Sequence, residues 1–203
     1  MRQVTRILTG YDKNERPPAH PRHHLLCGLD ISGYSRCDQR TQIFLRRFIY
    51  RVFREARRSA RIATWLCHVE DRGDGILMVA DPRVGPEAIF PSFIASAKES
   101  VRAHNAQVPP NELRLQLRMA IHAGYLHRDS RGFSGDAANH LARLLDAPAY
   151  KDQMTEHAAS FAVIVSDDLY RQVASYRLID PSRATLIRAS VKETQCSAWM
   201  IIP

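Results

Sequence analysis

Apolar residues follow two different periods along this chain, and those periods predict where its strands and helices lie. A short apolar run from Leu25 to Leu29 predicts a buried strand, which ends on Asp30 and is followed by a turn at Ser32-Gly33. Two further runs with strand character, TWLCHVE and ILMVA, flank the tight turn Gly73-Asp74-Gly75. This pattern predicts a β-hairpin with the Asp74 carboxylate at its tip.

Between these strands, apolar residues recur at the spacing of one helical face. From Thr41 to Ala60 they form one stripe and Arg residues occupy the remainder, which predicts an amphipathic helix with a basic outer face. The Arg residues of that face are Arg46, Arg47, Arg51, Arg54, Arg57 and Arg58. A second helix is predicted from Pro86 to His104, and Pro109-Pro110 ends it.

The second half of the chain repeats both patterns. Strict alternation from Leu113 to Ile121 predicts a half-buried strand, and Gly135-Asp136 begins a predicted helix. A strand over 161–165, a short helix over 167–173 and two strands over 186–191 and 198–202 follow. The order β-α-β-β-α-β, with additional strands and helices, predicts an α+β fold with a ferredoxin-like core. We expect its helices to lie against one face of a mixed sheet.

Length and composition favour one folded domain after a short arm. A chain of 203 residues, 45% of them hydrophobic, can bury a sizeable core. Residues 1–24, rich in Pro, His and charge, are predicted to form a flexible N-terminal arm, and residues 25–203 the folded domain. No apolar run approaches the roughly 20 residues that span a bilayer, and the N-terminus lacks a signal-peptide core. We therefore expect a soluble, cytoplasmic protein with no membrane partner.

Net charge and cysteine spacing indicate which ligands and which cysteine chemistry the protein favours. The formal net charge of +8 attracts phosphate, whether nucleic acid or a nucleoside triphosphate carries it. Because many of the Arg residues fall on the predicted amphipathic helix, we favour a solvated basic face over a nucleic-acid surface. The four Cys residues have no CxxC spacing and two lie in predicted strands, so reduced thiols are favoured over disulfides or a zinc site.

Two acidic residues stand where predicted strands end or turn. Asp74 alone would be explained by the geometry of a tight turn. Asp30, however, ends a strand before a Gly-containing turn, a place where a carboxylate metal ligand lies beside free backbone amides. We expect Ser32 and Gly33 of this turn to bind the substrate. If the two strands are neighbours, Asp30 and Asp74 converge and could hold two divalent ions, as phosphoryl transfer requires.

Four stretches together resemble the class III nucleotidyl cyclases, the family of adenylyl and guanylyl cyclases. They are GLDISGYSR, EDRGDGILMV, LRMAIHAG and GDAANHLARLLDAP, which occur in the family's order and at roughly its spacing, between about residue 25 and residue 203. The resemblance implies the class III cyclase fold. It also implies that Asp30, Asp74 and the carbonyl oxygen of Ile31 bind two divalent ions, Mg²⁺ or Mn²⁺.

The same resemblance assigns roles to four other residues. Arg118 and Lys192 match residues that contact the triphosphate, Asn139 matches the one that positions the ribose, and Arg143 matches the one that stabilises charge on the α-phosphate. Without the family, Arg118 and Lys192 would be solvated side chains. Asn139 and Arg143, four residues apart on one helical face, would be ordinary surface residues.

The implied activity is that of a phosphorus-oxygen lyase acting on a ribonucleoside triphosphate. The ribose 3′-hydroxyl would attack the α-phosphorus, giving a 3′,5′-cyclic nucleotide and pyrophosphate. In this family the aspartates and one Arg come from one subunit, and the Asn, the second Arg and the base-reading residues from the other. A single-domain chain with both sets is expected to form a homodimer, and Ala in place of either aspartate is expected to leave the fold intact.

Base specificity is where the chain departs from the family pattern. The two base-reading positions are Glu70, which suits guanine, and Gly132, which offers no side chain. A compact cyclase without the purine-reading pair resembles the bacterial pyrimidine cyclases of antiphage defence, whose cyclic nucleotide acts on an effector protein. We rank a UTP or CTP cyclase first and a guanylyl cyclase second. A catalytically quiet cyclase-like regulatory domain and a basic nucleic-acid-binding protein are the alternatives from other classes.

Overall fold

A single mixed sheet dominates the structure, a computed structural model that describes residues 20–109, 112, 114–191 and 194–203. The strands run in the order β2-β3-β1-β4-β6-β8-β7, and β5 pairs with β4 beside this path. Their bounds are β1 Arg22–Ile31, β2 Cys67–Asp71, β3 Gly75–Ala80, β4 Leu117–Asp129, β5 Gly132–Ser134, β6 Phe161–Ser166, β7 Ala184–Val191 and β8 Thr194–Ile201.

Helices connect most of these strands. They are α1 Gln39–Ser59, α2 Pro86–Ala88, α3 Ile94–Asn105, α4 Asp136–Asp146, α5 Pro148–Glu156 and α6 Asp167–Ser175. Asp38 begins α1 by accepting a hydrogen bond from the backbone N–H of Thr41, which satisfies one free donor of its first turn. None of the helices in the described part of the chain is both long and apolar enough to cross a bilayer.

The first half of the chain forms the predicted ferredoxin-like core. Strand β1, helix α1, the β2-β3 hairpin, helices α2 and α3, and β4 follow one another, and the strands lie in the order β2-β3-β1-β4. All neighbours in this group pair antiparallel. Strand β6 then pairs parallel to β4, and β8 and β7 extend the sheet. The α+β prediction is confirmed.

Helices cover both faces of the sheet, so the expectation of one covered face was wrong. Leu25, Cys27 and Leu29 of β1 pack in a cluster with apolar residues of α1, α3 and α6. Leu26 of the same strand packs in a second cluster with α4 and α5. Because side chains of a strand alternate between faces, Asp30 lies on the side of Leu26, which α4 and α5 cover.

Several predicted elements have different bounds in the structure; β1, for example, begins at Arg22, inside the arm predicted over residues 1–24. Two of the differences have a clear local cause. The helix predicted over 86–104 is interrupted in its first turns, because Phe90 precedes Pro91 and takes an extended conformation (φ −95°, ψ 118°). The strand predicted from Leu113 begins at Leu117 in the structure, and Leu113 itself lies outside the described residues. Before that point the Asn105 side chain hydrogen-bonds both the N–H and the C=O of Leu115, in place of a neighbouring strand.

Candidate active site

Asp30 and Arg118 lie side by side at the centre of the sheet. They are paired residues of the antiparallel neighbours β1 and β4. The Arg118 guanidinium donates from Nε to Oδ1 and from Nη2 to Oδ2 of Asp30, both at 2.7 Å. Only 11% of the Arg118 side chain and 16% of the Asp30 side chain are exposed. A bidentate pair with so little water around it fixes both side chains in one geometry.

The Gly73-Asp74-Gly75 turn brings the second carboxylate to the same place. Gly73 has a φ of 84°, which favours glycine. Gly75 faces Asp30 in the ladder between β1 and β3, and a Cβ atom there would lie 2.5 Å from the carbonyl oxygen of Leu29. The backbone N–H of Ile31 donates to the carbonyl of Asp74 at 3.2 Å. The two glycines therefore allow the turn that carries Asp74 to approach the end of β1.

Helix α1 holds this turn from outside. Arg46 donates to both carboxylate oxygens of Asp71 and, at 3.0 Å, to the carbonyl of Gly73. Gln42 donates to the carbonyls of Tyr34 and Cys37, in the segment that leads from β1 to α1. One helix thus braces both segments that carry the candidate metal ligands.

Opposing effects act on the Asp30 carboxyl group. Burial, the largest of them, raises its pKa, and the neighbouring charge of Asp74 raises it further. The guanidinium of Arg118 lowers the pKa by charge and by hydrogen bonding, but the net direction is upward. Two neighbouring carboxylates with one buried guanidinium form a site that favours additional positive charge.

The donor set suits a divalent ion that substrate oxygens help to bind. The described residues contain no group of three or more His, Cys, Asp or Glu side chains that could hold a metal by themselves. Mg²⁺ commonly takes one or two protein carboxylates and completes its shell with water and substrate phosphates. Asp30 and Asp74 fit that requirement, and the carbonyl oxygen of Ile31 follows Asp30 directly.

The turn after Asp30 differs from the prediction in one respect. The backbone N–H of Ser32 donates to the carbonyl of Gln116 at 3.0 Å, so it is not a free amide, because β1 and the segment before β4 remain paired beyond Ile31. Gly33 has a φ of 77° and begins a short 3-10 turn, Tyr34–Arg36. Any phosphate contact from this turn would therefore come from Gly33 rather than from the Ser32 amide.

The two positions predicted to read the base, Glu70 and Gly132, are neighbours in space. A Cβ atom at Gly132 would lie 3.4 Å from Glu70 Oε1 and 4.0 Å from His68 Nε2. Gly132 also has a φ of 132°, which disfavours any side chain at this position. The Glu70 carboxylate is held by Arg72 at 2.6 Å and lies 3.5 Å from His68. The ring of Phe133 packs on His68, with centroids 5.3 Å apart.

His68, which the sequence patterns did not single out, lies beside both of these positions. The signal was available, because His68 and Glu70 are two apart on one strand and therefore share a face. What could not be read from the sequence was that β5 would fold back over β2 and set Gly132 opposite both side chains. The polar surroundings of Glu70 come from His68 of β2 and from Arg72, the residue that follows β2.

Asn139 and Arg143 lie on α4, as predicted. Asn139 is exposed and Arg143 half-buried, four residues apart on one face. His140 lies between them, and its ring packs on that of His122 of β4 at 4.5 Å between centroids. His122 in turn hydrogen-bonds the buried hydroxyl of Ser166 at 2.8 Å. Lys192 lies outside the described residues.

The four cysteines form no disulfide. Cys27 is buried, and Cys37, Cys67 and Cys196 are partly buried. Burial raises the pKa of the Cys27 thiol far above its ordinary value. The prediction of reduced thiols agrees with this arrangement, and Cys27 is a core residue.

Comparison with known proteins identifies the fold. No protein-family model and no curated protein sequence matches this chain. Solved structures do. An adenylate/guanylate cyclase/hydrolase from Silicibacter pomeroyi is 21% identical, with 90% of this chain and 98% of that chain covered and a TM-score of 0.66.

Two further structures agree with the first. The guanylyl cyclase Cya2 is 13% identical over 91% of this chain and 93% of that chain, with a TM-score of 0.59. The catalytic core of a rhodopsin-guanylyl cyclase with converted specificity, in complex with ATPalphaS, is 12% identical over 89% and 96%, with a TM-score of 0.58. The chain therefore has the fold of class III nucleotidyl cyclase catalytic domains, as the sequence motifs predicted.

Proposed function

We propose that this protein is a nucleotidyl cyclase that converts a ribonucleoside triphosphate into a 3′,5′-cyclic nucleotide and pyrophosphate. The observation that carries the proposal is the convergence of Asp30, Asp74 and Arg118 on one point of a cyclase fold. Each of the three matches a functional position of the family motifs. A fold alone would not carry this proposal, since one fold serves many functions.

Each residue would act on a different part of the substrate. Two divalent ions held by Asp30 and Asp74 would lower the pKa of the ribose 3′-hydroxyl and neutralise triphosphate charge. Arg118 would bind the triphosphate, Asn139 would orient the ribose, and Arg143 would stabilise charge that develops on the α-phosphate. The 3′-oxygen attacks the α-phosphorus, its proton is lost to solvent, and the bond to pyrophosphate breaks.

Arg118 and Asp30 cannot serve these roles while they hold each other. Both carboxylate oxygens of Asp30 accept hydrogen bonds from Arg118. A triphosphate offers the guanidinium other anionic oxygens, so substrate binding would release the Asp30 carboxylate for metal. In this proposal, triphosphate and metal binding are coupled through the exchange of one guanidinium between two anions.

The protein would work as a homodimer with two sites at its interface. In one protomer Asp30, Asp74 and Arg118 form one group, while Asn139 and Arg143 stand on α4. A site shared between two protomers takes the first group from one copy and the α4 residues from the other. This arrangement is supported by the family resemblance and would leave an isolated protomer inactive.

For the base we propose a pyrimidine, from UTP or CTP. Glu70 accepts hydrogen bonds only, and the backbone at Gly132 disfavours the second side chain that purine cyclases use. The His68 ring, 3.5 Å from Glu70, is close enough to supply the missing polar group. A guanylyl cyclase is the second candidate, because Glu70 could accept from N1 and N2 of guanine. The antiphage role, with an effector protein responding to the product, stays a prediction from the resemblance.

Product identification tests this proposal. Purified protein is incubated with each of the four ribonucleoside triphosphates and Mn²⁺ or Mg²⁺, and the products are identified by mass. We expect a cyclic pyrimidine nucleotide and pyrophosphate, with ATP the poorest substrate. Glu70→Ala should reduce the preference among bases more than the rate with the best one, because an unpaired polar group rejects wrong bases strongly. A preference for ATP, or an unchanged ranking in Glu70→Ala, would remove the pyrimidine assignment.

If the protein is instead a catalytically quiet regulatory domain, the incubation with triphosphates should give a different result. Such a protein would bind a nucleoside triphosphate without releasing pyrophosphate. Equilibrium dialysis with a labelled triphosphate separates the two cases, since binding without product supports the quiet domain. Pyrophosphate released without a cyclic product would instead indicate another phosphoryl-transfer reaction.

A further inference from the structure

The arginines of α1 separate into two groups in the structure. Arg46 turns inward to Asp71, and Arg57 donates to the carbonyl of Ile62 at 2.6 Å. The others are exposed and form what we call the arginine stripe: Arg40, Arg47, Arg51, Arg54 and Arg58. The sequence alone favoured a solvated face for these arginines; on the structure, we propose instead that the arginine stripe is a binding surface for the sugar-phosphate backbone of nucleic acid. This inference does not depend on the proposed cyclase activity.

The stripe is straight and long. Successive members are separated by seven, four, three and four residues. At about 100° per residue these positions lie within about 60° of one another around the helix, over a length of about 27 Å. A strand of duplex DNA carries one phosphate per about 3.4 Å of axis, so the stripe spans about eight phosphates.

The guanidinium groups of the arginine stripe have few contacts with the described residues of the protein. Apart from the contact of Arg51 with the Phe48 ring, at 5.2 Å, these guanidinium groups make no hydrogen bond or ion pair with described residues. Glu55 is the only acidic residue of α1, and it accepts a hydrogen bond from Ser100. Like charges three and four residues apart destabilise a helix. A polyanion on this face would remove that repulsion.

Nucleic acid fits this face better than a membrane surface. A helix that lies in a membrane interface inserts an apolar face, but the apolar face of α1 is packed against the sheet. Ile43 and Phe44, about half exposed, are the large apolar side chains of α1 that remain accessible. Only four of the 29 Lys and Arg residues of the chain are Lys. Arg presents a planar fork that matches phosphate oxygens, which favours phosphodiesters as the ligand.

The stripe also lies next to the candidate active site. Arg47 follows Arg46, which holds the turn that carries Asp74. Gln42, one helical turn before Arg46, holds the segment that follows Asp30. A ligand on the stripe would therefore contact the same helix that positions both carboxylates.

Binding of labelled nucleic acid as a function of salt tests the proposal. A fluorescein-labelled duplex DNA of about 24 base pairs and a single-stranded RNA of similar length are titrated with full-length protein from about 50 to 300 mM KCl. The test variant is Arg47→Gln/Arg51→Gln/Arg54→Gln. The matched control, Arg177→Gln/Arg183→Gln/Arg188→Gln, removes the same charge from exposed positions near the β7 edge, away from α1. Circular dichroism melts verify that both variants are folded.

We expect wild type and control to bind alike. The stripe variant should bind DNA on the order of 100-fold more weakly at low salt, with the slope of log K against log salt reduced by about 2.7. Equal weakening in both variants would mean that net charge alone binds, and would overturn the proposal. So would the absence of salt-dependent binding in the wild type. Binding of vesicles containing phosphatidylserine through the stripe, without nucleic-acid binding, would assign the surface to membranes instead.

Discussion

Asp30 holds Arg118 with both of its carboxylate oxygens, and a divalent ion would need the same oxygens. From the sequence, Asp30 looked like a ligand at the end of a strand, on which the core does not depend. The structure changes that view, because the partner guanidinium is only 11% exposed. Asp74, on the turn, holds no comparable buried guanidinium. The two proposed metal ligands, Asp30 and Asp74, should therefore respond differently to the same substitution.

Asp30→Ala and Asp74→Ala are both expected to abolish nucleotide turnover, because each removes a carboxylate ligand. Asp30→Ala should also lower the free energy of unfolding by about 2–4 kcal/mol, since it leaves a buried guanidinium without its partner. Asp74→Ala should cost less than about 1 kcal/mol. Urea unfolding and the turnover assay measure the two effects. Equal stability of the two variants would contradict the structural role of the Asp30–Arg118 pair.

Arg118→Gln tests whether the guanidinium competes with metal. Without nucleotide, this variant should bind Mn²⁺ roughly 10-fold more tightly than wild type, or about 1.4 kcal/mol, because the carboxylate is released and a positive charge removed. The signal of free Mn²⁺ in electron paramagnetic resonance reports the affinity without any need for turnover. Arg114→Gln, an exposed arginine of the same segment, is the control and should leave the affinity unchanged. Unaltered Mn²⁺ affinity in Arg118→Gln would show that the pair does not gate the site.

At the scale of elements, β4 joins the candidate site to the rest of the fold. Arg118 stands on β4 beside β1, and four residues later His122 bonds Ser166 of β6 and packs on His140 of α4. Burial, followed by the charges of His140 and His23, lowers the pKa of His122 to about 4. The junction of β4, β6 and α4 therefore needs His122 uncharged.

This junction gives the fold a pH dependence of known sign. The pKa of His122 is about 4 in the folded protein and about 6.5 when unfolded, so the unfolded chain binds the additional proton between these values. The stabilisation is complete above about pH 6.5 and is lost as the pH falls toward 4, a loss of about 3 kcal/mol for this group. His122→Asn should show a smaller loss over the same range. Urea unfolding of both proteins at pH 7 and pH 4.5 measures this loss. An equal loss of unfolding free energy in wild type and His122→Asn would exclude the effect.

Sequence patterns predicted most helices and strands, but not where some of them break or begin. The β1 strand, α1, the hairpin and α4 were predictable, because each has a clear period and a Gly or Asp at its end. The break at Phe90 depends on the local effect of Pro91, and the late start of β4 depends on Asn105, whose side chain bonds Leu115. Helix α5 and strand β5 were missed. Their segments are short and lack a strong period, so tertiary packing determines them.

For the whole molecule, the sequence predicted the fold correctly, but it predicted only some of the contacts in the candidate site. The class III cyclase fold was predictable from four motifs, and the structural comparisons confirm it. The convergence of Asp30 and Asp74 followed from strand order. The Arg118 pair and the position of His68 beside Gly132 did not, since both depend on which residues of different strands face each other. Register is a property of the assembled sheet.

In the proposed homodimer, one chain carries two complementary parts of a catalytic site, which two protomers join. Asp74→Ala and Arg143→Ala, each inactive alone, are mixed and allowed to exchange subunits, and cyclic nucleotide formation is measured. In a mixed dimer one site contains both native residues, so activity should recover to about one quarter of the wild-type rate for random exchange and independent sites. Exchange is verified with differently tagged protomers. No recovered activity in a verified mixed dimer would contradict the shared site.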